Sequence, residues 1–410
     1  MPTPRHTHAD LPLGRNFHPP HCPNRECRFY RPQSGWTWRR SGNWLRKDGR
    51  RFQSFRCLTC QRYFSIRTFS GTYWLRYRRL YPHLAARAAE GPGLRQEARV
   101  RKVSHATVQR HLARAGRAAL LFHRRSVRAL PVREELVIDG FETFEFSQYY
   151  PFHLNLAVGA DSWFLYGFTD SPLRRKGRMT AAQKARRAQL EAIHGRPDPK
   201  AVENGMVELL RMVVRQDRRP GSRSFEQAAG AVVPLPLASP APGTSDETST
   251  PSARVLHSDD HPAYRRALRR LESEGLVFAH HVTSSRARRT THNSLFPVNL
   301  ADLLLRHGQA NHRRETIAFS KRRQGVIGRC ALFQFWRNWV KSRRENQPGE
   351  TPAMRLRLAP RPLSWRDLLR RRRFPRQSLL PGPWKDYYWH RVKTLALGDR
   401  QREHRLKYAF

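Results

Sequence analysis

The sequence predicts an α/β chain, a mixed sheet flanked by helices and preceded by a small cysteine-bearing module and a helical module. Three observations carry that expectation. Short apolar runs with strand character alternate with helical periodicity across residues 131–345. Four of the five cysteines fall in two close pairs near the start of the chain. Between those pairs and the first strand, residues 73–123 carry apolar side chains at helical spacing, interrupted by Gly91-Pro92-Gly93.

Composition narrows the partners. The 410 residues suffice for two or three domains, and 39% apolar content allows a core. Lys and Arg number 78 against 32 Asp and Glu, a net charge of +46. Such an excess points to a polyanion, because Lys and Arg neutralise phosphates and release counterions. A coding bias would explain Arg in place of Lys but not the shortage of acids. No apolar run approaches the ~20 residues of a membrane span. Residues 1–18 are polar, rich in Pro and His, and lack an apolar signal core. The expected location is therefore the cytoplasm, without membrane contact. Five cysteines in that setting read as metal ligands or free thiols rather than disulfides.

Residues 1–20 read as a disordered tail. Over 21–70, Cys22 and Cys27 are followed about thirty residues on by Cys57 and Cys60. Two close pairs joined by a hairpin-sized spacer fit a zinc ribbon, with four thiolates holding one structural Zn²⁺ that serves as the core of a small module. Trp36, Trp38, Trp44, Arg51 and Phe52 lie between the pairs. Residues 71–130 read as a helix-turn-helix module, with helical stretches at 75–81, 84–89, 94–100 and 104–115. Ser104 is placed to cap the last of these. Val108 and Leu112 share its inner face, which leaves Thr107, Arg110, His111 and Arg114 to face a DNA groove. An ordinary helical hairpin is the plain alternative.

Residues 131–345 carry the sheet. Strands are expected at 135–146, 152–159 and 162–169, followed by helices over 179–217 that break near 194–197. Residues 219–254, rich in Pro, Ser, Gly, Ala and Thr, read as a flexible insertion. A strand at 255–258, a helix at 262–274, a strand at 276–283, a basic loop at 284–291 and a helix at 300–308 come next. A basic stretch at 312–323 precedes an amphipathic helix at 325–341, and a basic, aromatic extension occupies 346–410. Three strands in a meander, then helix, strand, helix, strand, helix, is the order of a ribonuclease H-like fold.

In that order three acids occupy distinctive places. Asp139 falls in the first strand, Asp259 follows the fourth, and Asp302 lies on a late helix. Three carboxylates suit two Mg²⁺ (or Mn²⁺) ions, which favour hard oxygen donors and stabilise the attacking and leaving oxygens of a phosphodiester displacement. The remaining acids have simpler readings. Asp260 suits a helix N-terminus. Glu142 points to the other face of its strand from Asp139, and Glu145 lies roughly 20 Å along it, so both are expected to be structural. His257 is expected to pack or to orient Asp259. His280 and His281 read as strand ends or phosphate contacts, and Cys330 as core.

The layout of residues 20–341 resembles the DDE transposases of bacterial insertion sequences, in particular those with a zinc ribbon and helix-turn-helix ahead of a ribonuclease H-like domain. Cys22, Cys27, Cys57 and Cys60 match the ribbon ligands, and Val137-Ile138-Asp139 matches the first acid strand. Ser258-Asp259, with Tyr264 five residues after the Asp, and the Arg-x-Thr-x-x-Phe-Ser-like segment of Arg314, Thr316, Phe319 and Ser320 are the more specific matches. The chain departs at the third acid. The family has Glu, then Asn three residues later, then Arg four after that; here Asn299, Asp302 and Arg306 hold those places. Residues three apart share a helix face, so Asp302 is the expected third acid, with Glu315 as runner-up. The resemblance implies metal-dependent cleavage and strand transfer of double-stranded DNA, at element ends and target, near the nucleoid. Arg306, Arg313, Arg314 and Lys321 would hold phosphates, and pairing of two ends would make a homodimer. A decayed or domesticated transposase that binds DNA without cutting it is the alternative, and a structure-specific nuclease of the same fold is a third.

Overall fold

The computed structural model describes residues 12–46, 49–128, 130–215, 253–313 and 316–400. Residues 1–11 of the expected tail, the expected insertion up to 252, and Arg314 and Glu315 lie outside these residues. Residues 12–20, expected to be disordered, are instead ordered: Leu13 N donates to Arg51 O at 2.9 Å, and Phe17 packs against the core of the cysteine module.

The first module is a three-stranded antiparallel sheet of β1 (Trp38–Leu45), β2 (Arg51–Cys57) and β3 (Tyr63–Ser65), in that order. Its apolar core is small. Phe29, Phe55 and Phe64 pack with Cys22, Cys27 and Cys57, and Phe55 stacks on Phe64 at 5.8 Å. So little buried surface leaves such a module dependent on a further tie.

The helix expected at 75–81 is replaced by turns. Trp74 and Tyr77 adopt left-handed backbone conformations, φ 58° and 50°, and α1 starts only at Leu80 (Leu80–Ala89). The short α2 (Leu94–Val100) then turns through Lys102, φ 50°, into α3 (His105–Ser126). Ser104 caps α3 as expected, its Oγ accepting from Thr107 N at 3.2 Å. The helix outruns the expected 104–115 because Ala115, Ala119 and Leu120 continue its buried stripe. It packs on α8 (Arg323–Phe335) so closely that a Cβ on Gly116 would lie 2.9 Å from Gly328 O.

The main sheet contains β4 (Leu136–Phe144), β5 (Pro151–Gly159), β6 (Leu165–Pro172), β7 (Arg254–Ser258) and β8 (Phe278–Val282), five strands in the order β6-β5-β4-β7-β8. β4, β5 and β6 form the expected meander, while β4–β7 and β7–β8 are parallel. Parallel neighbours need crossovers. α4 (Ala181–His194) and α5 (Ala201–Val214) lie between β6 and β7, and α6 (Pro262–Glu272) lies between β7 and β8. β6 begins later than expected because the Glu134 carboxylate gathers the preceding turn. It accepts from Asp161 N, Ser162 N, Ser162 Oγ and Tyr166 OH.

α7 (Phe296–Gly308) packs on β4 and β5, starting four residues before the expected 300 at Phe296. α8 runs into a wider π turn at Trp336–Val340. α9 (Pro352–Arg355), α10 (Trp365–Leu369) and α11 (Gly382–Trp389) follow, with a 3-10 turn at Leu395–Arg400 after them. The aromatic residues of α11 are core. Trp384 donates its indole N–H to Phe168 O at 2.9 Å, and Tyr387 OH donates to Asp170 Oδ1 at 2.6 Å. One continuous apolar core thus joins α1–α3, the main sheet and the last helices. Among the described residues, no helix is long and apolar enough to cross a membrane.

Candidate carboxylate site and thiol cluster

Strand register brings the first two acids together. β4 and β7 pair in parallel with Val137 beside His257. Two residues further on, Asp139 and Asp259 come level just where β7 ends. Gly140 keeps β5 close at this point, since a Cβ there would stand 1.9 Å from Leu154 O. Pro262 starts α6 directly after the second acid, and Tyr264 in its first turn donates its hydroxyl to Asp139 Oδ1 at 3.1 Å. The Asp-to-Tyr spacing seen in the sequence is therefore a physical contact.

α7 supplies the third acid. Val298, Ala301 and Leu305 form its buried stripe, and Asp302 lies beside that stripe over the sheet. The residue as a whole is half-buried, but its Oδ1 is shut off from water and has no hydrogen-bond partner. The three carboxylates feel one another. Burial, and then the charge of Asp259, push Asp139 up to about 6, against hydrogen bonds from Gly140 N and Tyr264. Burial and the charge of Asp139 push Asp302 well up, countered by Arg306 and Arg289. The Tyr264 phenol is held neutral by burial and by all three acids. Like charges brought together out of water favour protonation or a cation between them.

The surroundings fix this geometry. Asp259 Oδ1 accepts from His261 N at 3.0 Å. Ser258 Oγ donates to Asp259 O at 2.8 Å and lies 2.7 Å from His280 Nε2, so His280 supports the second acid through Ser258. His257, expected to pack or to orient Asp259, packs: its Nε2 meets Glu135 Oε2 at 2.7 Å and its ring stacks on His281. A histidine one strand over carried no local signal. Arg289, from the basic loop, also acts on Asp139 and Asp302.

The other acids have structural places. Glu142 and Asp260 are exposed. Glu145 is fully buried and accepts from Arg323 N, Nε and Nη2 at 2.8, 3.0 and 2.6 Å, and Arg323 Nη1 continues to Asp170 at 3.1 Å. Cys330 is core. Of the expected phosphate contacts, Arg306 Nη2 donates to Glu142 O at 3.2 Å with its guanidinium over Phe141, Arg313 is exposed and donates to His307 O, and Lys321 is exposed.

The expected DNA-facing side of α3 needs correction. Arg110 is exposed and Thr107 half-buried, but His111 and Arg114 point inward. His111 is buried, with Nδ1 and Nε2 lying 2.8 and 3.1 Å from the carbonyl oxygens of Thr107 and Arg76. Arg114 Nη1 donates to Tyr73 O at 2.5 Å. The cause is periodicity. Positions 108, 111, 112 and 115 form one helical stripe, and the turns at 70–79 cover its flank.

In the first module, the ligand atoms of Cys22, Cys27, Cys57 and Cys60 all lie within 4.8 Å of one another. Cys22 Sγ is 3.5 Å from Cys60 Sγ, and Cys27 Sγ is 4.0 Å from Cys57 Sγ. Zinc–thiolate bonds of ~2.3 Å in a tetrahedron place sulfurs roughly 3.8 Å apart, so the cluster could hold a metal ion such as zinc. N–H donors already face the sulfurs: Trp36 Nε1 reaches Cys57 Sγ at 3.3 Å and Asn24 N reaches Cys22 Sγ at 3.5 Å. Burial pushes the Cys22 and Cys27 thiols up. At Cys57 burial is outweighed by donors from Cys60, Trp36 and Thr59, and the thiol falls to about 6. Among the described residues this is the sole group of three or more potential ligands gathered so tightly; the three carboxylates are more open.

Comparison with models of protein families finds no match for this chain, and no curated protein matches it.

Proposed function

We propose that the chain is a transposase of the DDE kind, which binds the ends of a mobile element and cleaves and joins DNA with metal ions held by Asp139, Asp259 and Asp302. One observation carries this reading: three acids distant in sequence converge on the end of the β4–β7 pair, and Asp302 keeps a buried oxygen without a partner. The strand order, with a meander followed by two parallel strands, supports a ribonuclease H-like fold. The four thiols support a zinc ribbon.

Hard carboxylate donors fit Mg²⁺ or Mn²⁺. When bound, a pair of such ions supplies charge stabilisation at the attacking and leaving oxygens. The chain's own contribution is positioning. Tyr264 holds the Asp139 carboxylate by a hydrogen bond, and His280 fixes the Asp259 backbone through Ser258. Arg289, Arg313 and Lys321 supply positive charge for DNA phosphates, and Arg306 steadies α7 against β4.

The test is nicking and joining of linear DNA carrying the element's flanking ends, in Mg²⁺ or EDTA. Asp139→Ala is expected to abolish metal-dependent cleavage and joining while leaving DNA binding intact. Cleavage that survives this change would rule the assignment out. Asp302→Asn is expected to lose joining as well; joining retained there would move the third role to another acid.

The exchanged order of Asn299 and Asp302, with the open spacing of the carboxylates, favours a second reading as a DNA-binding protein that no longer cuts. Tight binding without cleavage in any metal would support it.

A further inference from the structure

A second polar centre lies where α3, α1 and the segment after α10 meet. Arg114 and Arg117 project inward from α3, and Arg372 and Arg373 approach from the other side. Together with Tyr81 and Tyr388 they line a cavity of about 30 Å³. Arg117 is only 5% exposed, and its Nε has no partner. The Nε of Arg372 is likewise buried without one.

The partners that these four groups do have are neutral. Arg114 donates to Tyr73 O, Arg372 to Thr68 O and Arg373 to Leu368 O, while Arg117 Nη1 lies 3.2 Å from His390 Nε2. Their charged neighbours are further arginines, and the other titratable groups that face them are tyrosines, His390 and His21; among the described residues none of the four pairs with a carboxylate. Neutralisation is no escape. Burial draws Arg117 and Arg372 down to about 10 and Arg373 to about 9, which leaves all three protonated at neutral pH. Buried charge without a counter-charge is strongly unfavourable, and here several such charges share one cavity.

We propose that this cavity binds a phosphate group, supplied by inorganic phosphate or by a DNA backbone. A water needs ~10–15 Å³ of such space, so the cavity takes phosphate oxygens while leaving a base or a sugar outside it. Guanidinium forks suit phosphate oxygens, and the phenols of Tyr81 and Tyr388 can add neutral donors. Bound there, the anion would bridge α3 to the chain that follows α10. The site lies apart from the three carboxylates, and its test does not depend on them.

The experiment is calorimetric titration of the full chain with inorganic phosphate, at ionic strength matched with chloride, for wild type, Arg117→Gln and Arg372→Gln. Saturable binding is expected, weakened about 10- to 100-fold in Arg117→Gln through loss of charge-assisted hydrogen bonds. Arg372→Gln, at a less enclosed position, is expected to weaken it as well, and far-UV circular dichroism verifies that each variant is folded. Repeating the titration with a short duplex present separates the two sources. Competition assigns the site to a DNA phosphate, and unchanged binding assigns it to the free anion. No saturable binding by wild type, or equal affinity in folded variants, would overturn the proposal.

Discussion

At Asp302, a helix face shared with Asn299 and a buried oxygen without a partner meet in one side chain. The sequence made the residue legible as a candidate through its spacing from Asn299 and Arg306. Its burial was not legible, because that depends on how α7 lies over β4. Burial and Asp139 disfavour the Asp302 anion, so Asp302→Asn is expected to stabilise the metal-free protein at pH 7 by about 1–2 kcal/mol and, if the three acids hold metal ions, to abolish joining. Urea unfolding in EDTA checks the first part, and a variant less stable than wild type would contradict it. The pH dependence has a definite sign. Asp139 rises from 3.8 to about 6 on folding, so the folded state binds more protons than the unfolded state between those values. Metal-free stability should therefore fall as pH rises from about 4 to about 6. If the carboxylates hold Mg²⁺ as proposed, saturating metal should remove that decline, because the ion would take the place of the proton.

Among the elements, the cysteine module and the meander were readable and the start of the helical module was not. Paired thiols and alternating apolar residues are local signals. The turns at 70–79 rest on left-handed residues such as Trp74 and Tyr77, which no side chain announces. His111 shows a different failure, since its place on the 108–112–115 stripe was visible but its polarity suggested an outward face. If the four thiols hold zinc, chelation should make Cys22, Cys27, Cys57 and Cys60 reactive to a thiol reagent, while Cys330 stays protected until denaturant is added. Four rapid thiols in the untreated, metal-replete protein would argue against the site. Packing of α3 on α8 sets another expectation. Gly116→Ala forces a Cβ to 2.9 Å from Gly328 O and should cost about 1–3 kcal/mol, measured as a lower urea midpoint.

For the whole molecule, the charge of +46 remains the dominant physical fact. If six to ten DNA phosphates are contacted, affinity should fall by about 10³–10⁵-fold between 50 and 200 mM salt. Filter binding across that range tests this, and a flat profile would remove nucleic acid as the partner. Charge also misleads. The run from Trp384 to Arg391 has the basic, aromatic composition of a nucleic-acid surface, yet Trp384, Tyr387 and Tyr388 are buried. Composition cannot distinguish a ring that stacks on a base from one that covers β6. That distinction comes from Phe168 and Asp170, more than two hundred residues earlier, which receive those rings.

That closure by α11 has a consequence for synthesis. A ribosome adding 5–20 residues per second delivers Trp384 roughly ten to forty seconds after Phe168. Throughout that interval one side of β6 lacks its cover, and the growing chain carries an apolar surface that only its own late arrival can hide. A transcript cut short before residue 382 would release a product locked in that uncovered condition, for chaperones and proteases to remove. Pulse-chase turnover of such a truncated chain, compared with the full chain, would reveal the difference as a shorter lifetime; equal lifetimes would mean that the sheet is stable without its last helix.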